Sequence, residues 1–417
     1  MLCYNITTKN FHFFISNKKR QSMLKKFIPL PMLALLSSPV YAAGGHDHGD
    51  HSKGDKRFYS HLDVKVHFDR IVDAEEANEE FDESYTHSHM ELGVRLNSRF
   101  SINANVKIEG EPAGHHHGHG AEEEEEHHDE DEEEHHDEEV AQTDKVFDDH
   151  PFLVEQLTIN FDEEHYALYA GKFNPVVGFD YHNFPGIFGY QIIESYVIRE
   201  RIGFGAKLMH DAGDGGKHTL NASTFFADTT ALSDSLLHER GTTSKKDGGL
   251  SNTEDFRSFS VSISGSDFYS LDNNFAEGFS YGLGYAKQAA GAGNEEDEIR
   301  FSGSFGYEQK LSKDVEAKFI AEHMAIEHLG GEVAHDRSYT TVGLGFDYKR
   351  WNLGATYTHI NNDADEADEN HDGHIYQVSI GYTFSNGLGL SVGYKRADED
   401  NEESDRIGTL VSYSYNF

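Results

Sequence analysis

Basic residues, cysteine and long apolar runs are scarce in this chain of 417 residues. It has 35 Lys and Arg against 74 Asp and Glu, a formal net charge of −39. This balance excludes a nucleic-acid-binding protein, which needs a basic face. A single cysteine, Cys3, excludes a disulfide scaffold. Beyond the N-terminal region there is no charge-free apolar run of about 18 residues, so no transmembrane helix is expected in the mature chain.

Residues 1–42 have the pattern of a cleaved leader. Two lysines precede an apolar stretch from Phe27 to Leu36, and the small residue Ala42 completes a signal-peptidase site. We therefore expect export and cleavage after Ala42, which leaves residues 43–57 as a His-rich N-terminus. The residues before Met23 are polar and basic, so Met23 is a second candidate for the first residue of the protein. A leader with a long basic N-terminal region would also account for these residues.

From Phe58 onward the sequence alternates with a period of two in stretches of about ten residues, the signature of a transmembrane barrel. The apolar set should face lipid, and the polar set should face the lumen. The sequence thus predicts an all-β protein, a transmembrane antiparallel β-barrel over residues 58–417. Its last strand ends on Phe417, which resembles the signal that the barrel-assembly machinery of Gram-negative bacteria reads.

Sixteen strands are predicted, although fourteen or eighteen are also compatible with the pattern because residues 267–277 fit poorly as a periplasmic turn. The connections after odd strands are long and acidic, as extracellular loops, whereas those after even strands are mostly tight. Sixteen strands leave an aqueous channel rather than a filled core. The predicted strands start near residues 58, 86, 100, 152, 165, 201, 217, 256, 278, 298, 315, 338, 352, 373, 388 and 405.

The most unusual segment is the predicted extracellular loop 111–150, which is rich in His and Glu. Imidazole and carboxylate groups together suit Zn²⁺ and other borderline divalent ions. A solvated run of repelling charges would have the same composition. The candidate metal ligands in this loop are His115, His116, His117, His119, His127, His128, His135 and His136.

A second candidate metal site follows from strand geometry. His87, His89 and Glu91 lie at i, i+2 and i+4, so they share the face opposite Met90 and Leu92 and should point into the lumen. His67, on the preceding strand, is predicted to lie beside them near the outer mouth. The same pattern would arise if these were ordinary polar residues of a water-filled barrel.

The connection 174–200 is long, aromatic and less acidic than the other loops, so we expect it to fold into the lumen as a constriction. An outer lid held by aromatic packing would have a similar composition. Charged rings set selectivity in channels. The predicted constriction residues are Asp180, His182 and Glu194, facing Arg199 and Arg201.

Two stretches carry a family resemblance: Gly171 to Gly178 running on to Phe184-Pro-Gly-Ile-Phe188, and Thr219 to Thr230 followed by Leu236 to Gly241. With the His-rich loop and Phe417, the chain resembles porin-like proteins described as zinc-regulated outer-membrane receptors. That resemblance implies a role in zinc acquisition, sometimes labelled TonB-dependent. The chain departs from that label because about fifteen residues before the first strand leave no room for a plug. A looser likeness to siderophore porins rests on the Gly171-Lys-Phe-Asn-Pro motif.

These features predict a channel or receptor for divalent metal uptake, zinc first, in the outer membrane of a Gram-negative bacterium. Copper or nickel could replace zinc as the ion. A general or siderophore-type porin and a non-conducting, metal-sequestering barrel are also compatible with the sequence. An enzyme is not expected, because no Ser/His/Asp arrangement stands out. No cofactor is required. The expected partners are outer-membrane lipid and divalent metal ions, not nucleic acid, and a homotrimer is one option for assembly.

Overall fold

The computed structural model describes residues 57–74, 80–110, 144–147, 150–179, 183–236, 240–269, 276–364, 370, 372–399 and 402–416. These residues form β-strands and one short helix, with 3₁₀ turns between them. The strands are β1 Phe58–Ala74, β2 Asp82–Arg95, β3 Phe100–Glu109, β4 Lys145–Val146, β5 Phe152–Asp162, β6 Tyr166–Phe173, β7 Arg201–Asp211, β8 Lys217–Ala227, β9 Ser258–Ser266, β10 Phe279–Gln288, β11 Glu298–Ser312, β12 Val315–Glu327, β13 His335–Tyr348, β14 Trp351–Ala364, β15 Asp372–Thr383, β16 Leu388–Glu399 and β17 Glu402–Asn416. The helix α1 is Gln191–Tyr196, and 3₁₀ turns occur at Gly213–Gly215, Lys245–Asp247, Ala276–Gly278 and Leu329–Gly331.

Sixteen of these strands form a closed antiparallel barrel. Each pairs with its neighbours in sequence, and β1 closes the sheet by pairing with β17, from His61 opposite Asn416 to Ala74 opposite Ser404. The two-residue strand β4 lies outside this ring and pairs in parallel with β2. Closure satisfies the backbone hydrogen bonds of every barrel strand, which a strand in lipid requires. The predicted transmembrane antiparallel barrel of sixteen strands is confirmed.

The two faces of each strand differ as the alternation predicts. On β15, Gln377 and Ser379 are buried, whereas the intervening Val378 and the following Ile380 are about half exposed. Residues with low exposure on the inner face line the lumen, and large exposed apolar residues lie on the outer face, where lipid replaces water. The alternation therefore decides which side chains can meet a solute.

The connections at one end of the barrel are tight except between β9 and β10, and those at the other end are longer except between β16 and β17. Two residues join β13 to β14, and the tight end is the periplasmic one in outer-membrane barrels. The predicted strand starts agree within four residues, and the largest differences are at β2, β13 and β17, which begin three or four residues earlier than predicted. Within the described ranges, no helix has the length and hydropathy needed to cross a membrane. Three predicted segments lie outside the described residues and stay predictions: the leader, residues 43–56 and most of the loop 111–150.

Candidate functional site

The connection between β6 and β7, residues 174–200 and here called the inner loop, packs against the inner wall of the barrel. The Ser302 hydroxyl on β11 donates a hydrogen bond to the carbonyl of Val177. On β14, Thr356 donates to the carbonyl of Pro185 over 2.8 Å. The described part of the inner loop therefore runs across strands on the side of the barrel opposite its own attachment.

Glycines on the wall make room for this path. A methyl group at Gly354 on β14 would lie 2.5 Å from the backbone nitrogen of Gly186. At Gly343 it would lie 2.6 Å from the Pro185 ring, and at Gly393 it would lie 2.8 Å from the Ile187 side chain. Since any larger residue at these positions would displace the loop, the barrel strands themselves set where the lumen narrows.

Apolar side chains anchor the inner loop to the wall. Ile192, Ile193 and Tyr196 of α1 are almost fully buried, in a cluster that includes Ile320 and Met324 from the inner face of β12. Burying each such side chain contributes roughly 1.5–3 kcal/mol. The cluster explains why an aromatic loop lies inside a porin-like barrel instead of extending into water.

Glu322 joins two limbs of the inner loop. Its carboxylate accepts the Phe179 N–H over 2.5 Å and the Tyr196 hydroxyl over 2.9 Å. Burial, followed by the charge of Glu322, raises the pKa of the Tyr196 hydroxyl well above its ordinary value, so it remains a donor. One buried carboxylate thus holds residues that are far apart in the loop sequence.

The facing wall, formed by β1, β2 and β3, presents His and acidic residues to the lumen. Cross-strand pairs place Glu83 opposite Asp69, and His89 opposite Asp63. Successive inward-facing residues along a strand are about 7 Å apart, so these side chains lie at successive depths from the outer mouth toward the periplasm. We call it the His-acid wall, consisting of His61, Asp63, His67, Asp69, Glu83, His87, His89, Glu91 and Glu109.

Three ligand atoms converge where the inner loop meets this wall. His87 Nδ1 lies 2.5 Å from Glu109 Oε1 and 4.0 Å from Glu194 Oε2. Their potential metal-binding atoms all lie within 4.8 Å of one another, the only such group of three among the described residues. One imidazole and two carboxylates are ligands that Zn²⁺ and similar ions accept. We call these three residues the constriction cluster.

Two basic side chains share the carboxylates of the constriction cluster. Lys107 Nζ lies 3.4 Å from both Glu109 Oε2 and Glu194 Oε1, and 3.2 Å from Glu155 Oε1. Arg199 Nη1 lies 2.5 Å from Glu194 Oε1 and 3.7 Å from Glu109 Oε2. Counted together with Glu155, three carboxylates face two cations, which leaves one negative charge in this set when His87 is neutral. The cluster therefore attracts a further cation.

A second ion-pair network lies at the outer end of β7. Lys172 Nζ contacts Glu200 Oε2 at 2.8 Å and Asp228 Oδ2 at 2.9 Å, and Arg240 contacts Glu200 Oε2 at 2.7 Å. Burial alone would raise the pKa of Glu200, but hydrogen bonds and charges from Arg240 and Lys172 lower that pKa to about 2. This network braces the end of the inner loop next to Arg199.

The structure places the predicted lumenal residues on one wall of the barrel but at different levels. His67 lies opposite Tyr85, one inward-facing position from His87, and its ring stacks on the Tyr85 ring at 4.7 Å. The Tyr190 ring lies 6.0 Å from the His67 ring and 4.5 Å from the His87 ring. His89 lies opposite Asp63, and Glu91 lies opposite His61. The register of β1 and β2 spreads these residues over several levels, with His89 and then Glu91 successively nearer the periplasm than His87.

The predicted constriction is also only partly brought together. Glu194 and Arg199 contact each other, but Arg201 donates instead to Gln288 Oε1 over 3.1 Å. Asp180, His182 and the eight predicted histidine ligands of the loop 111–150 lie outside the described residues.

Sequence reasoning missed Glu109. The turn between β2 and β3 places it opposite His87, so folding that hairpin about its tight turn would have identified the pair.

The closed sixteen-strand barrel with a loop narrowing its lumen defines the class of outer-membrane channel proteins. The sequence pattern of the family described as Gram-negative porin matches residues 204–417, about half of the chain. The chain belongs to the Gram-negative porin family, and its place is the bacterial outer membrane. Family and fold are those of a channel rather than an enzyme.

Solved structures with a similar fold are also outer-membrane proteins. OmpT of Vibrio cholerae without loop L8 is 12% identical, with 86% of this chain and 98% of that chain covered and a TM-score of 0.47. DcaP, an outer-membrane channel of Acinetobacter baumannii, is 10% identical over 86% and 96%, with a TM-score of 0.48. OpdK of Pseudomonas aeruginosa, solved with vanillate, is 10% identical over 86% and 99%, with a TM-score of 0.49. A sequence search of curated proteins finds no match.

Proposed function

We propose that this porin conducts divalent metal ions across the outer membrane, with zinc as the first candidate. The observation that carries the proposal is the constriction cluster, where His87, Glu109 and Glu194 offer three ligand atoms within 4.8 Å at the narrowed lumen. Mixed imidazole and carboxylate ligands favour borderline ions such as Zn²⁺ over Mg²⁺ and Ca²⁺, which prefer oxygen alone. Copper and nickel share this ligand preference.

The His-acid wall has candidate ion-binding positions on both the outer and the periplasmic side of the constriction cluster. Asp69 and Glu83, which share the Arg406 guanidinium, lie toward the outer mouth. The Asp63–His89 and His61–Glu91 pairs lie toward the periplasm, where Lys65 Nζ is 3.0 Å from Asp63 Oδ2. The His61 and His89 rings are 6.4 Å apart, so an ion leaving one pair is close to the next. Several weak sites in series let an ion enter and leave, which conduction requires.

The charge of the chain supports cation over anion transport. A net charge of −39, with acidic runs in the predicted extracellular loops, raises the local cation concentration at the mouth. Screening limits this attraction to about 8 Å at physiological ionic strength. The eight histidines of the loop 111–150 would then hold zinc near the entrance. The resemblance to zinc-regulated outer-membrane receptors agrees with this role, as passive rather than energy-coupled transport.

A general porin for small hydrophilic solutes is the second candidate, favoured by a hydroxyl-lined part of the wall. Small polar side chains without charge suit neutral solutes and bind no metal. They occupy the inner faces of three consecutive strands at Ser258, Ser260, Ser262, Ser264, Ser280, Ser302 and Ser304.

Three further expectations remain predictions: the homotrimer, the siderophore-porin likeness, and recognition of Phe417 by the barrel-assembly machinery.

The test is conductance of single channels in a planar bilayer, with the reversal potential measured under a KCl gradient and ZnCl₂ then added on the loop side. We expect cation selectivity and zinc-dependent block of the potassium current. His87→Ala should raise the half-blocking zinc concentration at least about tenfold, since even outer-shell partners of a metal site contribute 10–100-fold to affinity.

The matched control is His323→Ala, which removes an exposed outward-facing histidine of β12 that contacts Thr340. It should leave zinc block unchanged. Equal zinc block in wild type and His87→Ala would reject the constriction cluster and favour the general porin. A folded barrel that passes no current would instead indicate a metal-sequestering barrel.

A further inference from the structure

We propose that Arg199 is a tethered competitor of the transported ion: a divalent cation enters the constriction cluster by displacing the Arg199 guanidinium from Glu194 and Glu109. The inference rests on the proposed function and adds the residue that sets how long the ion stays. It assigns Arg199 a role in the release of the ion.

The geometry places the guanidinium at the same carboxylates as the proposed metal. Arg199 Nη1 is 2.5 Å from Glu194 Oε1, and Glu109 Oε2 is 3.7 Å away. The remaining oxygens, Glu194 Oε2 and Glu109 Oε1, face His87 Nδ1. Because each carboxylate gives one oxygen to His87 and one to the basic residues, a metal that takes both carboxylates must compete with the charge of Arg199.

The charge balance favours exchange over simple addition. Glu109, Glu155 and Glu194 carry three negative charges, and Lys107 and Arg199 carry two positive ones. Adding a divalent ion to this set would leave a net charge of +1 in a partly buried site. Replacing Arg199 with the ion leaves a net charge of zero.

Of the two basic residues, Arg199 is the one placed to leave. Lys107 lies on β3 with 3% of its side chain exposed and contacts three carboxylates. Arg199 has 18% of its side chain exposed and lies between α1 and β7, outside any strand or helix. The exposed face gives the guanidinium a route into the lumen, whereas Lys107 stays as the fixed counter-charge.

The consequence for transport is a faster release of the metal. A site of one imidazole and two carboxylates without a competitor would hold zinc long enough to block the channel, whereas conduction requires binding that is weak enough to leave. When Arg199 returns to the carboxylates, it helps to expel the ion. Removal of Arg199 should therefore turn a conducting site into a trapping site.

The experiment measures zinc block of single channels in the full-length protein carrying Arg199→Gln. We expect the half-blocking zinc concentration to fall by about tenfold or more, with longer block events, because one unit charge a few ångströms away contributes several-fold or more to ion affinity at protein dielectric values. Arg199→Lys keeps the charge and should stay close to wild type. Arg257→Gln, which removes an equal charge from an exposed ion pair with Asp255 away from the cluster, is the matched control and should also match wild type.

The double variant His87→Ala/Arg199→Gln separates the two proposals. If Arg199 competes at the constriction cluster, the tightening caused by Arg199→Gln should largely disappear once His87 is absent. Block that is sensitive to His87→Ala but unaffected by Arg199→Gln would overturn the competitor role and leave the metal-conducting function standing. Equal tightening in Arg199→Gln and Arg199→Lys would also overturn it, because competition by charge predicts a difference.

Discussion

Glu200 shows how single residues at the outer end of β7 hold the inner loop. Its carboxylate contacts Lys172 and Arg240, and its backbone N–H donates to Asn174 Oδ1 over 2.9 Å. The Asn174 side chain in turn donates to Glu155, which contacts Lys107. The brace at the loop end and the constriction cluster are therefore linked through side chains.

The lowered pKa of Glu200 predicts a pH dependence of stability. The folded-state value of about 2 lies below the ordinary 4.5, so Glu200 stabilises the fold above about pH 4.5, and this contribution is lost as the pH falls toward 2. Thermal unfolding of wild type and Glu200→Gln in detergent should differ most near neutral pH. The two melting temperatures should converge near pH 2.

Lys217→Gln is the control for that experiment, since it removes an exposed ion pair with Asp267 at the periplasmic end. Exposed pairs contribute about 0–1 kcal/mol, so its effect should be small at every pH. A constant difference between wild type and Glu200→Gln from neutral to acid pH would contradict the proposed ionisation of Glu200.

At the scale of elements, glycines on the wall strands leave the space into which the inner loop packs. Gly354→Val should push the loop away from β14, because the first side-chain carbon would lie 2.5 Å from the Gly186 nitrogen. Since Gly354 is paired within a strand, the barrel should still close. We expect larger and noisier single-channel currents from a folded barrel, with folding checked by its heat-dependent shift on gel electrophoresis.

Gly303→Val is the matched control at the element scale. Gly303 lies on the outward face of β11, where the nearest atom to an added side-chain carbon is Leu283 Cδ2 at 3.8 Å. Its currents should resemble those of wild type. Identical currents in Gly354→Val and wild type would show that the loop contact with β14 does not limit conductance.

At the scale of the whole molecule, the ring of sixteen strands closes on hydrogen bonds that do not involve residues 114–139. These strands pair directly, from Phe100 opposite Phe161 to Ile108 opposite Phe152. Deleting residues 114–139 should therefore leave a folded, heat-modifiable barrel. It should also remove most zinc binding measured by titration calorimetry, because all eight candidate histidines of the loop are lost.

Deletion of residues 365–369 is the corresponding control, because it removes acidic residues from another extracellular loop but no histidine. Zinc binding should persist in that variant. A collapsed, heat-labile protein after deletion of residues 114–139 would contradict the view that this tract is an independent loop. Undiminished zinc binding after the same deletion would indicate that the main metal site lies in the lumen.

The barrel was predictable because its signals are local. Alternation along Leu62, Val64 and Val66 identifies a strand and its lipid face without any knowledge of its neighbours. The inward direction of His87 and His89 follows from the same period of two. Register was not predictable to the residue, since the pattern remains self-consistent when a strand start moves by an even number of positions, as β2 shows.

The sequence by itself determined the all-β class, the barrel and the faces on which charged residues lie, because these depend on residue order within each strand. It favoured sixteen strands but left fourteen and eighteen open. The tertiary structure decided which residues meet. Glu194 reaches His87 and Glu109 only because the inner loop packs over wall glycines and apolar side chains contributed by distant strands. Contacts of that kind depend on the closed shape of the barrel, which no single segment of the chain encodes.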